Sequence, residues 1–407
     1  MMHSHSHGDV QIEVGTKAKA WLIGFLVLLA VLTVAGIIWL WPSSSEMREG
    51  IHHVPAAEGV IETSGRITRV EPTCEGQFDT SSGQVACVTY EITVLGGPDE
   101  GSTQRVEVTG PQSSAGLRAG DVVQVSRIDA ADSVFYAYRG IDRTPVFIVL
   151  AVLFVIAVIT VARWKGLFAL VGLVVAGAVL VRFIIPGILL GKPGVLVAIV
   201  GSTAIMFVVL YVAHGISIRT STALAGTMLG LLVTAGLGSA SVYLAKLTGF
   251  AEETEWDLQN LAPGLDFRQL LIAGLIIGGL GVLNDTTITQ ASAVFELRAA
   301  APTMRRREIF SSGMRIGRDH IASTIYTIVF AYAGSALVVI MLVYFTSTSL
   351  LITINQEMFA SEIVRTLGSS IGLILSVPIT TGIAALTVGP ASLPHPDYAP
   401  RPARAAE

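Results

Sequence analysis

Asp285, Thr289, Ser292 and Glu296 recur at steps of four, three and four residues, with Asn284 beside the first of them. At 3.6 residues per turn this spacing sets them on one stripe of a helix. Gly274, Gly278 and Gly281 continue the stripe toward the N-terminus, where absent side chains let a neighbouring helix approach closely. An acid and two hydroxyls on one face of an apolar helix suit a proton or solute path. The same groups also suit plain pinning of adjacent helices. An Asp at the bilayer centre costs about 2.5–3.5 kcal/mol, so it faces a partner or water. With Arg268 at one surface, Asp285 lies about 25 Å along the helix. That is near the far edge of a hydrocarbon core about 30 Å thick. The stripe is expected to pack on the seventh and last spans.

A second polar group opens the next apolar run. Asp319 and His320 precede Ser323, Tyr326 and Phe330 at helical spacing. At the same depth as the Asp285–Glu296 half of the stripe, they could complete a two-helix polar vestibule. A His is a residue type suited to carrying a proton, although His320, at a helix start, also fits a surface position. Pro378, followed by Thr380 and Thr381, is expected to break the last span, because Pro frees a carbonyl that neighbours or a cavity must satisfy. His3, His5 and His7 alternate near the start, a pattern that either holds a transition metal or is a plain tail.

These residues must be positioned by membrane helices. The chain has 407 residues, 52% hydrophobic and 14% charged, against about 25% charged in soluble domains. The fold class is therefore a polytopic α-helical membrane protein of about eight spans. Residues 1–20 form a polar tail and 21–41 a retained anchor, with Lys17 and Lys19 on its cytoplasmic side. Residues 43–143 change to alternating β-type sequence, with candidate strands at Val60–Val70, Gln84–Leu95, Gln104–Thr109, Asp121–Ile128 and Ser133–Arg139. They imply a small extracytoplasmic β-barrel-like domain, OB-like in outline. It binds a ligand or packs on the membrane domain; both stay open. Residues 145–389 hold seven further spans: Pro145–Ala162, Gly166–Ile185, Gly194–Val212, Thr220–Lys246, Arg268–Ala291, Ile321–Tyr344 and Gly368–Gly389. Pro302–His320 is expected to lie on the anionic leaflet, and Asn355–Leu367 to be an outer interfacial helix. Residues 390–407 read as a disordered cytoplasmic tail.

Arg163, Lys165, Arg219, Arg298, Arg305–Arg307, Arg315 and Arg318 fall in one set of loops. The positive-inside rule makes that set, and both termini, cytoplasmic. The expected setting is a bacterial plasma membrane, crossed many times. Cys74 and Cys87 fall in the outer domain, where the environment is oxidising, and flank a short flexible segment. A disulfide between them is expected, contributing about 3 kcal/mol in the chain-entropy model. The net charge of -4, with no basic stripe carrying interleaved aromatics, argues against nucleic acid. The chain has no GxS pair with a membrane base, no HExxH and no nucleotide loop. It is expected to be no enzyme and to carry no cofactor and no resident metal.

The stretches LNDTTITQASAVFEL, GMRIGRDHIASTIYTIVFAYAG and SSIGLILSVPITTGIAAL together resemble the YibE/YibF family of bacterial membrane proteins. The resemblance covers most of the chain and implies an integral membrane protein without assigning catalytic or binding residues. Leu283-Asn284-Asp285-Thr286, with Glu296 and Arg298, is similar to a helix end of the protein-export subunit SecF and, more loosely, of RND-type permeases. That likeness implies a proton-responsive acid at Asp285. The chain departs from it in its span count and in the polar segment TITQASAV.

The leading expectation is a permease for a small or exported solute, with proton coupling through Asp285. Asn284, Thr289 and Ser292 would line its path, and Glu296, Asp319 and His320 its mouth. The rival is a non-transporting scaffold or sensor with the outer domain as reader. The partners are the lipid bilayer and, as an open matter, a second copy of the chain or another membrane protein.

Overall fold

The computed structural model describes residues 15–43, 45–47, 59–72, 79–80, 83–84, 86–130, 133–251, 253–345 and 349–389. Cys74, the His3–His7 segment and the tail from Pro390 lie outside these residues. The chain divides into two compact units, Met1–His52 with Val161–Glu407, and His53–Thr160.

The smaller unit is a nearly closed antiparallel sheet. Its strands are β1 (Val60–Glu71), β2 (Cys87–Val94), β3 (Thr103–Thr109), β4 (Val122–Ala130) and β5 (Ser133–Ile141). They lie in the order β3–β2–β1–β4–β5, with β3 and β5 also in contact. All five sit close to the expected positions. Alternation explains the core: Tyr90, Ile92 and Val94 of β2 turn inward with Ile67, Val106, Val108, Val123 and Val125. Gly65 is required where β1 crosses β2, because a Cβ there would fall 2.5 Å from Ile92 Cδ1. At one edge Asp99 accepts from Arg127 Nε (2.6 Å) and from the Tyr136 hydroxyl (2.8 Å), and Arg127 also pairs with Asp129. The guanidinium and the phenol hold the Asp99 carboxyl below its usual range. Burial, then the Asp99 carboxylate, pushes the Tyr136 phenol up to about 12.

The helices that carry the argument are α1 (Thr16–Leu40), α2 (Thr144–Val179), α3 (Gly194–His214), α4 (Ile218–Leu244), α5 (Phe267–Ala300), α6 (Arg306–Ser335), α7 (Leu337–Phe345) and α8 (Glu357–Thr387). Among the described residues, six helices are long and apolar enough to cross a membrane. They become seven when α6 and α7, bent by 69°, count as one span. One of the six is the 46-residue run Thr144–Leu189, more than twice the roughly 20 residues that one crossing takes. It breaks at Arg163, whose backbone is non-helical (φ 52°, ψ -133°), where a loop between two spans was expected. A π-helical stretch at Leu180–Ile184 precedes Pro186, which cannot donate to the helical ladder.

Two sequence expectations are corrected here. Pro302–His320 is not a separate surface helix: α6 runs unbroken from Arg306 through His320 to Ser335. Asn355–Leu367 is not separate either, since α8 is continuous from Glu357. Past Pro302, which separates α5 from α6, neither segment holds a proline, so polarity alone suggested a boundary at His320 and Leu367.

Contacts within the larger unit sort the helix ends. Gly15 donates to the Thr387 carbonyl, and Arg306 to that of Val388. Tyr211 bonds Ser221, and Arg219 lies 3.6 Å from Glu296. This end therefore gathers the starts of α1, α4 and α6 and the ends of α3, α5 and α8. Arg298 closes the α5–α6 turn by donating to the carbonyls of Pro302 and Met304 (both 2.8 Å). At the opposite end, Glu357 accepts from Thr248 and from the backbone N–H of Gly249. Lys192 there donates to the Trp41 carbonyl. The arginine-rich loops thus share one end, and the acidic Glu253–Leu261 helix connects α4 to α5 at the other.

Candidate polar seam of the helix core

The centre of the bundle is built from α4, α5 and α8. On α4, Thr222, Gly226, Gly230, Thr234 and Gly238 recur every four residues; on α8, Gly368, Gly372, Ser376, Thr380 and Ala384 do the same. All ten are buried. The helices run antiparallel, and three positions interlock directly. A Cβ on Gly226 would lie 2.1 Å from Thr380 Oγ1, and one on Gly372 1.9 Å from Thr234 Oγ1. One on Gly230 would lie 3.0 Å from Ser376 Cβ. Each hydroxyl residue thus sits over a bare backbone, as small-residue packing in membranes allows.

α5 closes this pair with a different face from the expected one. Its buried side is Leu275, Ile276, Gly279, Leu283, Thr286, Thr287 and Gln290. Gly274, Gly278, Gly281, Asp285, Thr289 and Glu296 are exposed, and Ser292 is half-buried. A Cβ on Gly274 or Gly281 would meet nothing within 4 Å, and one on Gly278 only the Tyr332 hydroxyl at 3.7 Å. These glycines therefore do not pack helices. The physical reason is volume. α4 and α8 present glycine, serine and threonine, so the gap needs branched side chains such as Leu275 and Leu283. The small face of α5 is turned outward.

The other expected residues follow from this placement. Asp285 makes no hydrogen bond or ion pair among the described residues. Glu296 reaches Arg219 at 3.6 Å with its own side chain 74% exposed. Asp319 is exposed; His320 is half-buried, with Nε2 buried and unpartnered. No hydrogen bond or ion pair among the described residues joins Asp285 or Glu296 to Asp319 or His320. Pro378 does not break its helix: α8 passes through it without interruption. Hydroxyls bond carbonyls in the adjoining turns, Thr381 donating to Val377 O and Ser376 to Leu373 O (both 2.7 Å).

Gln290 was not singled out from the sequence. It is buried, and its amide nitrogen donates to Gly313 O of α6 (2.8 Å) and to Thr381 Oγ1 of α8 (2.7 Å). Gly313 and Gly317 let α6 close on it, since a Cβ on Gly317 would stand 3.0 Å from Gln290 Oε1. Thr227 of α4 and Thr287 of α5 share a hydrogen bond, and Thr227 also donates to Ala223 O (2.9 Å). Around these satisfied groups stand buried oxygens with no partner among the described residues: Thr222, Asn284 Oδ1, Thr286, Ser369 and Thr380. The seam carries hydroxyls and amides but no ionised group. It can accept and donate hydrogen bonds without binding a fixed charge. The four-residue recurrence of Gly, Ser and Thr on α4 and α8 is visible in the sequence and is the signal that points to it. Among the described residues no cluster of His, Cys, Asp and Glu could hold a metal ion.

A helical bundle with several long apolar helices and a small β unit is the architecture of a multi-pass membrane protein. Residues 150–390 match the family model described as YibE/F-like protein. The match spans more than half of the chain, from α2 through α8, and the chain belongs to that family. No curated protein matches, and no solved structure does.

Proposed function

We propose that the bundle is a permease-type domain whose path for a small or exported solute follows the seam between α4, α5 and α8. The observation that carries this reading is the set of buried, unpartnered hydroxyls at Thr222, Thr286, Ser369 and Thr380. An unpaired buried polar group costs about 1–3 kcal/mol. A core needing only packing would hold Ala or Val there. In this reading the basic end is cytoplasmic and both termini with it. The break at Arg163 makes eight spans, and the β unit is an extracytoplasmic OB-like domain. Asp285 lies outside the seam. Its proton coupling would require a second copy or a membrane partner to cover the exposed stripe. A second reading has its own support: the interlock of Gly226 with Thr380 and Gly372 with Thr234 suits a rigid scaffold carrying a sensory outer domain. An uptake and efflux screen on a deletion strain separates the two. Complementation with the Thr286→Val/Thr380→Val variant should fail if the hydroxyls serve a path. Full complementation at normal expression would favour the scaffold.

A further inference from the structure

A groove of about 700 Å³ lies between α1, α4 and α8 at the arginine-rich end of the bundle. Its walls are Trp21, Phe25, Leu229, Ile383 and Leu386. Trp21 is 82% exposed and Leu386 61%, so the apolar wall stands open along its length. Lys17 and Arg306 line it too, and among the described residues no acidic one does. Arg306 is held there by donating to the Val388 carbonyl (3.3 Å). Its guanidinium would stand 3.3 Å from a Cβ on Gly15, the residue before α1. The first turn of α1 contains no acidic residue and receives no side-chain cap, and among the described residues no carboxylate forms an ion pair with either cation. An apolar trough headed by two cations is complementary to an amphiphile with a negative head and an acyl chain.

We propose that this groove binds one anionic phospholipid, its phosphate on Lys17 and Arg306 and an acyl chain along α1, α4 and α8. The lipid would fill the open wall of α1, which buries few of its residues against the bundle. This site is distinct from the α4–α5–α8 seam and does not depend on the transport reading.

The test is native mass spectrometry of the full chain, delipidated in detergent and titrated with phosphatidylglycerol or phosphatidylcholine. Each cation near a lipid surface favours an anionic head by about fivefold, so the pair gives about thirtyfold in affinity. Wild type should retain phosphatidylglycerol over phosphatidylcholine by about that factor. Lys17→Gln/Arg306→Gln should abolish the preference, and Leu386→Trp, which fills the trough, should weaken retention of both lipids. Arg305→Gln/Arg307→Gln, which alters arginines outside the groove, should keep it. No preference in wild type, or equal loss in the Arg305/Arg307 control, would overturn the proposal. Should Arg306→Gln unfold, Lys17→Gln alone decides, with about a fivefold loss expected and no change contradicting it.

Discussion

At Gln290 one amide nitrogen ties three helices together, through Gly313 O and Thr381 Oγ1. Gln290→Leu keeps the volume but leaves both acceptors without their donor. It should destabilise the bundle by about 1–3 kcal/mol, read as a lowered unfolding midpoint in mixed micelles. Thr286→Val, by contrast, removes an oxygen that has no partner, and should leave the midpoint unchanged or raise it. The β unit has its own residue-scale signature. The depressed Asp99 carboxyl stabilises the fold above its unfolded pKa, and that contribution is lost as pH falls through the folded value. The raised Tyr136 phenol stabilises below its unfolded pKa of about 10, and that contribution is lost as pH rises toward about 12. Stability of this unit should therefore be flat from about pH 5 to about pH 9 and fall on either side. Hydrogen exchange of the β4 amides reads it. Asp99→Asn should shrink the acid limb, leaving the part due to Asp142, whose carboxyl is held down by hydrogen bonds from Thr144, and an unchanged limb would contradict the assignment.

At the element scale, the α4–α8 pair depends on glycine where a hydroxyl residue sits opposite. Gly372→Ala places a Cβ 1.9 Å from Thr234 Oγ1 and should cost about 1–3 kcal/mol by overpacking. Adding Thr234→Ala should restore most of it, because the clash partner is gone. Failure of the second change to rescue the first would show that the interlock is not the origin of the cost. This ladder has a sequence signal, Gly226-xxx-Gly230 and Gly368-xxx-Gly372, that was not singled out from the sequence. The stripe from Gly274 to Glu296 had the same spacing on α5. Spacing identifies a face but not what covers it. The outcome turned on the partner surface: two helices of small residues require a third with branched ones, so α5 turned Leu275 and Leu283 inward. Strand positions were easier, since alternation in β2 both names the face and sets its depth. The continuity of α6 and α8 was not legible, because their polar opening turns, Arg306–Arg318 and Glu357–Arg365, resemble interfacial sequence although each helix runs on from them without a break.

For the whole molecule, the helix ends give charge a direction. Lys17, Arg219, Arg298 and Arg306 gather at one end of the bundle, while Asp266 and Glu357 stand at the other. The positive-inside rule then predicts a cytoplasmic basic end. Impermeant thiol reagent applied outside intact cells should label Ser102→Cys and spare Ser312→Cys; the reverse would invert the orientation. The same orientation places Cys74 and Cys87 in an oxidising compartment. Mass spectrometry of non-reduced protein should recover them as one linked peptide pair, and both thiols alkylated would remove the disulfide. An exposed Asp285 on a membrane helix is costly without a partner, which is why the proposed proton coupling calls for a second copy or a membrane partner over that stripe.

The central claim is that the seam between α4, α5 and α8 opens to water during function, although its hydroxyls are buried in this state. Cysteine accessibility tests it directly. Thr286→Cys and Thr380→Cys are close to isosteric, and a small water-soluble methanethiosulfonate should modify both slowly in membranes. Leu210→Cys on α3, an equally buried apolar position outside the seam, should stay unmodified. Labelling of neither seam position, under conditions that fully label Ser312→Cys in inverted vesicles, would contradict the account and leave the core as packing alone.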